Sequence, residues 1–252
     1  MSCYPSHVSS GDHIYTKHVP NKAQVNSAIE YYNEVGDVAD LDLRTKLSLF
    51  AQIAHEPAFD QLRTKEQLGY MVFSGVRKSI GAMGFRVLIQ SERPPIYLEG
   101  RVEEFFNVTI KKLLEEMSDE EFEKSKNSLI EEKLEKPKNL NNEASRLWLE
   151  LSGGYYDFHR RTNEVESIKK LTKQDIMDFF YTYIHQSSDK RNKLSSHLIS
   201  QSIPDQYKDL NDASALRSAN MVYDDIASYK NKTVPSTHAH PVAPIAQPAM
   251  NN

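Results

Sequence analysis

One segment of the sequence places polar side chains directly before an apolar run: FDQLRTKEQLGYMVFSG, residues 59–75. Only Gly69 separates its polar part from Tyr70 and the apolar residues that follow. A surface helix followed by a strand would explain this pattern, with Arg63 paired to Glu66 and Tyr70 half-buried on the strand. A segment that directs Arg63 and Tyr70 toward a ligand would also explain it, so both interpretations stay open at this point.

The histidines of the sequence do not form a metal-binding motif. The zinc-peptidase patterns HExxH and HxxEH need two histidines one helical turn apart, with a glutamate placed beside them. His55 and Glu56 begin such a pattern, but Phe59 stands where the second histidine would be. The sequence also lacks a GxSxG nucleophile elbow and a glycine-rich phosphate loop, and Cys3 lies in a polar terminal stretch. We therefore expect no complete active site and no metal ligands in this chain alone.

Composition and charge narrow the function classes. The 252 residues are 39% hydrophobic and 26% charged, with a formal net charge of −4. These values are typical of a globular protein and argue against a nucleic-acid-binding protein. No apolar run approaches the roughly 20 residues that a membrane-spanning helix needs. The single cysteine, Cys3, and the lack of a signal-peptide pattern predict an intracellular, cytoplasmic protein.

Local patterns predict strands and helices in an order typical of an α+β domain. The predicted strands are residues 13–20, 26–35, 70–76, 85–92 and 193–200. The predicted helices are residues 40–57, 58–67, 98–117, 118–136, 141–152 and 172–183. Pro57 is expected either to end the first of these helices or to begin the second at its first turn, and Gly69 is expected to let the chain turn after the second.

These elements predict an α+β fold in which helices pack on one face of a mostly antiparallel sheet. Capping boxes mark the starts of two helices, at Ser118–Glu121 and Thr172–Asp175. The aromatic side chains expected in the core are Phe105, Phe106, Phe122 and Trp148. The predicted organisation is a disordered leader at 1–12, one domain at 13–229 and a disordered Pro- and Ala-rich tail at 230–252.

Four longer stretches of the sequence carry a resemblance to a known family. They are HEPAFDQLRTKEQLGYMVFSG (55–75), LIQSERPPIYLEGRVEEF (88–105), MSDEEFEKSKNSLIEEKLEKPKNL (117–140) and YYDFHRRTNEVESIKKLTKQDI (155–176). In these stretches and in their order, the chain resembles the C-terminal region of insulysin-type members of the pitrilysin family of zinc metallopeptidases, fungal members included. The resemblance covers about residues 13–200, most of the chain.

The resemblance implies a place for this chain within a larger enzyme. Family members have four homologous α+β domains, arranged as two bowl-like halves around a closed chamber. Zinc is held in the first domain by an HxxEH helix and a distant glutamate, whereas the last domain has lost these ligands and forms chamber wall. The resemblance thus implies that residues 13–229 are this zinc-less fourth domain. Its implied partners are the N-terminal catalytic domains or subunit and a peptide substrate, with a homodimer of the full-length enzyme also possible in the family.

The resemblance also implies roles for two residues of the opening segment. The Arg and Tyr of the family's RTKEQLGY motif, here Arg63 and Tyr70, reach across the chamber toward the scissile peptide bond. A tyrosine hydroxyl can donate to a developing oxyanion, and an arginine can bind a carbonyl or a carboxylate. Lys65, Glu66 and Gln67 are interpreted as structural residues that lie on the helix face or form hydrogen bonds between segments, with contact to the substrate as the less favoured alternative.

Two functions remain open from the sequence. In the first, the chain is the non-catalytic C-terminal domain of a zinc endopeptidase that degrades peptides. In the second, it is a free-standing peptide-binding module or pseudo-peptidase subunit that pairs with a separate catalytic subunit. Neither function involves nucleic acid or a membrane, and both predict that the chain alone is proteolytically inactive.

Overall fold

The computed structural model describes residues 6–210 and 221–233. The strands are β1 Gly11–His18, β2 Ser27–Gly36, β3 Met71–Ser79, β4 Ala82–Ser91, β5 Asn192–Ile199 and β6 Met221–Tyr223. The α-helices are α1 Leu41–Ala58, α2 Pro95–Glu104, α3 Lys111–Glu116, α4 Asp119–Leu134, α5 Leu140–Ser152, α6 Arg160–Ile168, α7 Lys173–Tyr183 and α8 Ile226–Lys230. Two π-helical segments, Phe59–Lys65 and Phe105–Ile110, continue α1 and α2, and Asp205–Leu210 forms a 3₁₀ turn.

The strands form one sheet in the order β3-β4-β2-β5-β1-β6. The pairs β3–β4, β4–β2 and β2–β5 are antiparallel, whereas β1 runs parallel to both β5 and β6. Ile29 and Tyr31 of β2 are fully buried, while the alternate residues Glu30 and Tyr32 are half-buried. Because side chains of a strand alternate between faces, this pattern shows that helices cover one face of the sheet. The predicted α+β class is confirmed.

The core lies between this covered sheet face and helices α1, α2 and α7. The Phe50 ring centre lies 5.3 Å from that of Phe85 and 6.1 Å from that of Phe180, and Phe85 lies 5.8 Å from Phe106. Such edge-to-face and offset ring pairs add stability beyond the apolar area they bury. The predicted burial of Phe105, Phe106 and Phe122 is confirmed.

Helix α5 departs from this packing. It has no buried residue, and Trp148 is 66% exposed. The prediction that Trp148 belongs to the core is therefore wrong. The apolar side chains of α5 do follow a helical spacing, but such a spacing predicts an apolar stripe and cannot show whether another element of the same chain packs on it.

The predicted helix starts are accurate where a capping side chain sets them. Asp40 accepts a hydrogen bond from the Leu43 backbone N–H at 3.0 Å, and both predicted capping boxes form. The predicted break at Pro57 is wrong, because α1 runs through it to Ala58 and continues as a π-helical segment. Pro57 lacks a backbone N–H and so removes one hydrogen bond from the helix, but the neighbouring backbone hydrogen bonds maintain the helical conformation.

Several elements carry no clear sequence signal. Helix α6 was missed because Val165 and Ile168 are its only large apolar residues.

The predicted leader, 1–12, overlaps described structure: Val8 is buried, its N–H donates to Glu34 at 3.2 Å, and β1 begins at Gly11. Residues 1–5 of that leader and 234–252 of the predicted tail lie outside the described residues. No helix in the described part of the chain is both long and apolar enough to cross a bilayer.

Candidate functional site

The opening segment of the sequence is anchored at the end of helix α1. Leu62 and Leu68 are buried in the core and fix the segment on the helical layer. Between them the backbone follows π-helical spacing, with the Glu66 N–H donating to the Gln61 carbonyl at 3.0 Å. Because π-helical turns are uncommon and frequently occur at functional sites, this one favours a role for the side chains it displays.

The turn into strand β3 depends on two residues in different ways. Gln67 has a φ of 48°, in the left-handed region that non-glycine residues rarely adopt. Gly69 instead passes so close to β4 that an added Cβ would lie 2.0 Å from the Gln90 carbonyl oxygen. The expectation that Gly69 supplies the turn is therefore corrected: Gln67 supplies the unusual backbone conformation, and Gly69 permits close backbone packing.

Arg63 and Tyr70 meet at the surface after this turn. The Arg63 Cζ atom lies 6.0 Å from the centre of the Tyr70 ring, within the range of a cation–π contact. Tyr70 is 90% exposed, and Arg63 is half-buried. If the segment were only a surface helix followed by a strand, Arg63 would pair with Glu66 and Tyr70 would be half-buried. Neither arrangement occurs in the described structure. The segment thus brings both predicted site residues together on an accessible surface.

Glu66 has a structural role, as predicted. Its carboxylate accepts hydrogen bonds from Arg101 Nε at 2.5 Å and from Gln61 Nε2 at 2.5 Å. Burial acts to raise the pKa of the Glu66 carboxyl, but these hydrogen bonds outweigh burial and hold the pKa below its usual value. Lys65 forms a surface ion pair with Asp60 at 2.7 Å. Glu66 therefore ties the segment to helix α2 rather than neutralising Arg63.

A surface cleft of about 280 Å³ opens beside Arg63 and Tyr70. We call it the arginine cleft and define it by Arg63, Tyr70, Glu92, Arg93 and Tyr207, which line it. The Arg93 Cζ atom lies 5.6 Å from the Tyr207 ring centre, and Arg93 Nη1 donates to the Glu66 carbonyl at 3.2 Å. The cleft therefore presents two arginines and two tyrosines to solvent.

Sequence reasoning missed Arg93 and Tyr207. Arg93 lies within one of the stretches that carry the family resemblance, directly before Pro94, so a signal was available. Tyr207 lies on a 3₁₀ turn after the last predicted strand, and only the tertiary structure brings it to Arg93. Across residues 6–210 and 221–233, no three histidine, cysteine or acidic side chains converge as metal ligands.

A second charged cluster is buried between helix α2 and strand β5. Glu99 accepts hydrogen bonds from Lys193 Nζ at 2.7 Å and from Ser195 Oγ at 2.6 Å, and His197 Nε2 lies 3.3 Å from the same carboxylate. Burial acts to raise the pKa of the Glu99 carboxyl, but Lys193 and His197 outweigh burial and hold the pKa far below its usual value. Glu103 bonds both Lys193, at 2.8 Å, and Arg191.

We call this second cluster the α2–β5 network and define it by six residues: Asp12, Glu99, Glu103, Arg191, Lys193 and His197. Asp12 lies 3.2 Å from Lys193 and 3.1 Å from Arg191 Nε, so every cation of the network faces carboxylates. Lys193 and Glu99 are almost inaccessible to solvent. This arrangement pairs each buried cation with carboxylates and offers no open site to a ligand.

Comparison with known proteins places the chain in a family. A protein-family sequence model, described as PQQ synthase PqqF-like, C-terminal lobe domain 4, matches residues 49–148. Human insulin-degrading enzyme is 42% identical over 181 residues, which are 72% of this chain and 18% of that enzyme. The A-factor-processing enzyme of Saccharomyces cerevisiae is 36% identical over 237 residues, which are 93% of this chain and 22% of that enzyme. The chain belongs to the pitrilysin family.

The likeness to the pitrilysin family extends to the whole fold. A crystal structure of pitrilysin matches with a TM-score of 0.73 at 25% sequence identity, covering 93% of this chain and 24% of that one. The chain corresponds to the C-terminal domain of the insulin-degrading-enzyme branch of the family, and it spans about a fifth of the length of these relatives. Arg63, Tyr70 and Arg93 all lie within the region that the family model matches.

Proposed function

We propose that this chain is the non-catalytic C-terminal domain of a zinc metalloendopeptidase that degrades peptides within a closed chamber. In this proposal Arg63 and Tyr70 contact the substrate and the developing transition state at a zinc site carried by another domain. The cited relatives are peptidases by name or by family, and the chain matches a C-terminal lobe domain. The N-terminal catalytic domains and a peptide are thus its proposed partners, and a homodimer of the full-length enzyme belongs to the same proposal.

One observation carries the proposal: Tyr70 is almost fully exposed and lies against Arg63. Exposing a large aromatic side chain to water forgoes the free energy that its burial would give. Its hydroxyl has no hydrogen-bond partner among the described residues, and it is held in place by the anchored backbone on both sides. A tyrosine presented in this way is suited to donate to an atom outside its own domain.

The chemistry follows from the two side chains. The described residues of this chain offer no zinc ligand set, and zinc held by another domain would supply a Lewis acid to the substrate carbonyl. The Tyr70 hydroxyl would donate a hydrogen bond to the oxyanion that develops on that carbonyl. The Arg63 guanidinium would bind a neighbouring carbonyl of the peptide and orient it. Since both groups come from outside the zinc domain, the site is complete only when the halves of the enzyme close.

The test uses the full-length enzyme with Arg63→Gln and Tyr70→Phe as separate variants. We expect Tyr70→Phe to lower kcat/KM by about 100-fold, the usual loss for one oxyanion-contacting donor, and Arg63→Gln to lower it by about 100-fold through loss of substrate orientation, with zinc content unchanged in both. Lys65→Gln is the matched control, because Lys65 lies on the same segment but pairs with Asp60. Wild-type kinetics in both variants would contradict the proposal, as would chelator-sensitive cleavage of a peptide by the isolated chain.

A second function is favoured by the surface of helix α5. Trp148, Leu149 and Leu151 are exposed there and form an apolar patch of the kind that marks protein interfaces. Such a patch suits a subunit that pairs with a separate catalytic chain as well as a domain within one chain. An upstream HxxEH segment in the same reading frame would support the domain function. In either case the lone Cys3 leads us to propose a reducing, cytoplasmic location.

A further inference from the structure

We propose that the arginine cleft binds a carboxylate of the peptide substrate between Arg63 and Arg93, and that Arg93 is therefore a specificity-determining residue. The inference rests on the proposed function, since it names the chemistry that the Arg63–Tyr70 surface prefers. The carboxylate has two possible sources: an acidic side chain of the peptide or its C-terminus. Both present the planar pair of oxygens that a guanidinium binds through two parallel hydrogen bonds.

The charge of the cleft supports this proposal. The contacts of Arg63 and Arg93 in the described structure are to tyrosine rings and one backbone carbonyl, and neither arginine forms an ion pair there. The nearby Glu66 carboxylate is taken by Arg101 and Gln61. Among the residues that the structure describes, Glu92 is the one acidic residue that lines the cleft, and it is exposed to solvent. Two unneutralised arginines against one solvated carboxylate leave the cleft with a positive potential.

The position of Arg93 is fixed before a ligand arrives. Its guanidinium lies 5.7 Å from the Tyr97 ring centre and 5.6 Å from the Tyr207 ring centre, and Nη1 donates to the Glu66 carbonyl. A guanidinium held in this way loses little conformational entropy on binding, which favours affinity. Because Arg93 uses one N–H group on the carbonyl, its remaining donors are available to a carboxylate.

The size of the cleft also limits what it can bind. The cleft volume of about 280 Å³ is small for a ligand pocket and suits one side chain or a chain end.

The test is an NMR titration of the ¹⁵N-labelled 252-residue chain with three N-acetylated hexapeptides of otherwise identical sequence. The first has a glutamate and an amidated C-terminus, the second has glutamine in its place and the same amide, and the third has glutamine and a free C-terminal carboxylate. We expect the first or the third peptide to bind at least about tenfold more tightly than the second, as charge-assisted hydrogen bonds provide. The tighter of the two identifies the source of the carboxylate.

Variants of Arg93 and Lys65 test whether the carboxylate preference arises at the arginine cleft. Arg93→Gln should reduce the tenfold preference to about twofold or less, whereas Lys65→Gln should preserve it although it removes the same unit of charge. Arg93→Lys keeps the charge but loses the planar fork, so an intermediate preference is expected. The dispersed NMR spectrum of each variant verifies that it is folded.

Several results would overturn the inference. Equal binding of all three peptides by the wild-type chain, no binding of the carboxylate peptides, or a preserved preference in folded Arg93→Gln would each do so. These outcomes are separate from a failure of the proposed function, which is measured by the cleavage kinetics of Arg63→Gln and Tyr70→Phe in the full-length enzyme. Normal kinetics with a tenfold carboxylate preference would reject the proposed function and keep the cleft.

Discussion

The chain contains two clusters of cationic side chains, the α2–β5 network and the arginine cleft, that differ in how their charges are paired. In the α2–β5 network, Lys193 and Arg191 are buried and each faces two or more carboxylates. In the arginine cleft, Arg63 and Arg93 are only half-buried and contact tyrosine rings instead. The same residue types thus serve as internal ties in one region and as accessible donors in the other.

The difference in charge pairing between the two clusters follows from the cost of removing water from a buried cation. A buried cation costs several kcal/mol unless carboxylates and hydrogen bonds compensate it, so a buried cation must be paired for the chain to fold. A half-exposed arginine keeps much of its hydration and costs little when it is unpaired. Unpaired arginines in an open cleft therefore indicate binding, whereas fully paired ones indicate stability. The two clusters should respond differently to mutation and to pH.

The largest effect is expected from Glu99→Gln in the α2–β5 network. The change leaves Lys193 buried with one carboxylate fewer, and we expect the free energy of unfolding to fall by roughly 3–5 kcal/mol. Urea denaturation of the chain, followed by circular dichroism, measures this. A loss below about 1 kcal/mol would show that the network is not a structural tie and would remove the contrast with the cleft.

A smaller effect is expected from acid. The pKa of Glu99 is depressed in the folded state, so its contribution to stability is present above its unfolded-state value of about 4.3 and is lost as pH falls below it. The wild-type chain should therefore lose up to about 1.1 kcal/mol more than Glu99→Gln between pH 4 and pH 3, because the unfolded-state carboxyl is already largely protonated in this range whereas the folded one stays ionised. Parallel urea titrations at these pH values provide the comparison, and identical slopes would contradict it.

The smallest effect is expected from Arg93→Gln on stability. Because Arg93 is half-buried and forms no ion pair among the described residues, the unfolding free energy should change by less than about 1 kcal/mol. In the peptide titration, by contrast, Arg93→Gln should reduce the tenfold carboxylate preference to about twofold or less. A stability loss as large as that of Glu99→Gln would make Arg93 a structural residue and would end the distinction between the two clusters.

How well a feature could be predicted from the sequence depended on how far apart along the chain its interacting residues lie. Ser118 and Thr172 were recognised as helix starts because a capping side chain bonds a backbone group only three residues away. The strand at 26–35 was also predicted from its local pattern, and β2 spans Ser27–Gly36. Trp148 was assigned to the core in error, because its helical spacing says nothing about what else in the chain reaches α5.

The candidate site shows the same division. Arg63 and Tyr70 were named from a local motif, and the anchored π-helical turn between them brings their side chains together. Tyr207 was not named, because its contact with Arg93 joins segments more than 100 residues apart, whereas Arg93 was missed although it lies in a stretch that carries the family resemblance. Gly69 was assigned to a turn, whereas its contact with Gln90 on the neighbouring strand explains its small side chain.

The sequence by itself determined most of the strands and helices, the α+β class, the family and the motif that holds Arg63 and Tyr70. These depend on side-chain periodicity and on contacts between residues that are close along the chain. Only the tertiary structure decided which cations are paired, because Glu99 and Lys193 are 94 residues apart and meet where α2 packs on β5. Burial depends on the packing of distant elements, and burial decides whether a charge must be neutralised or can remain free for a ligand.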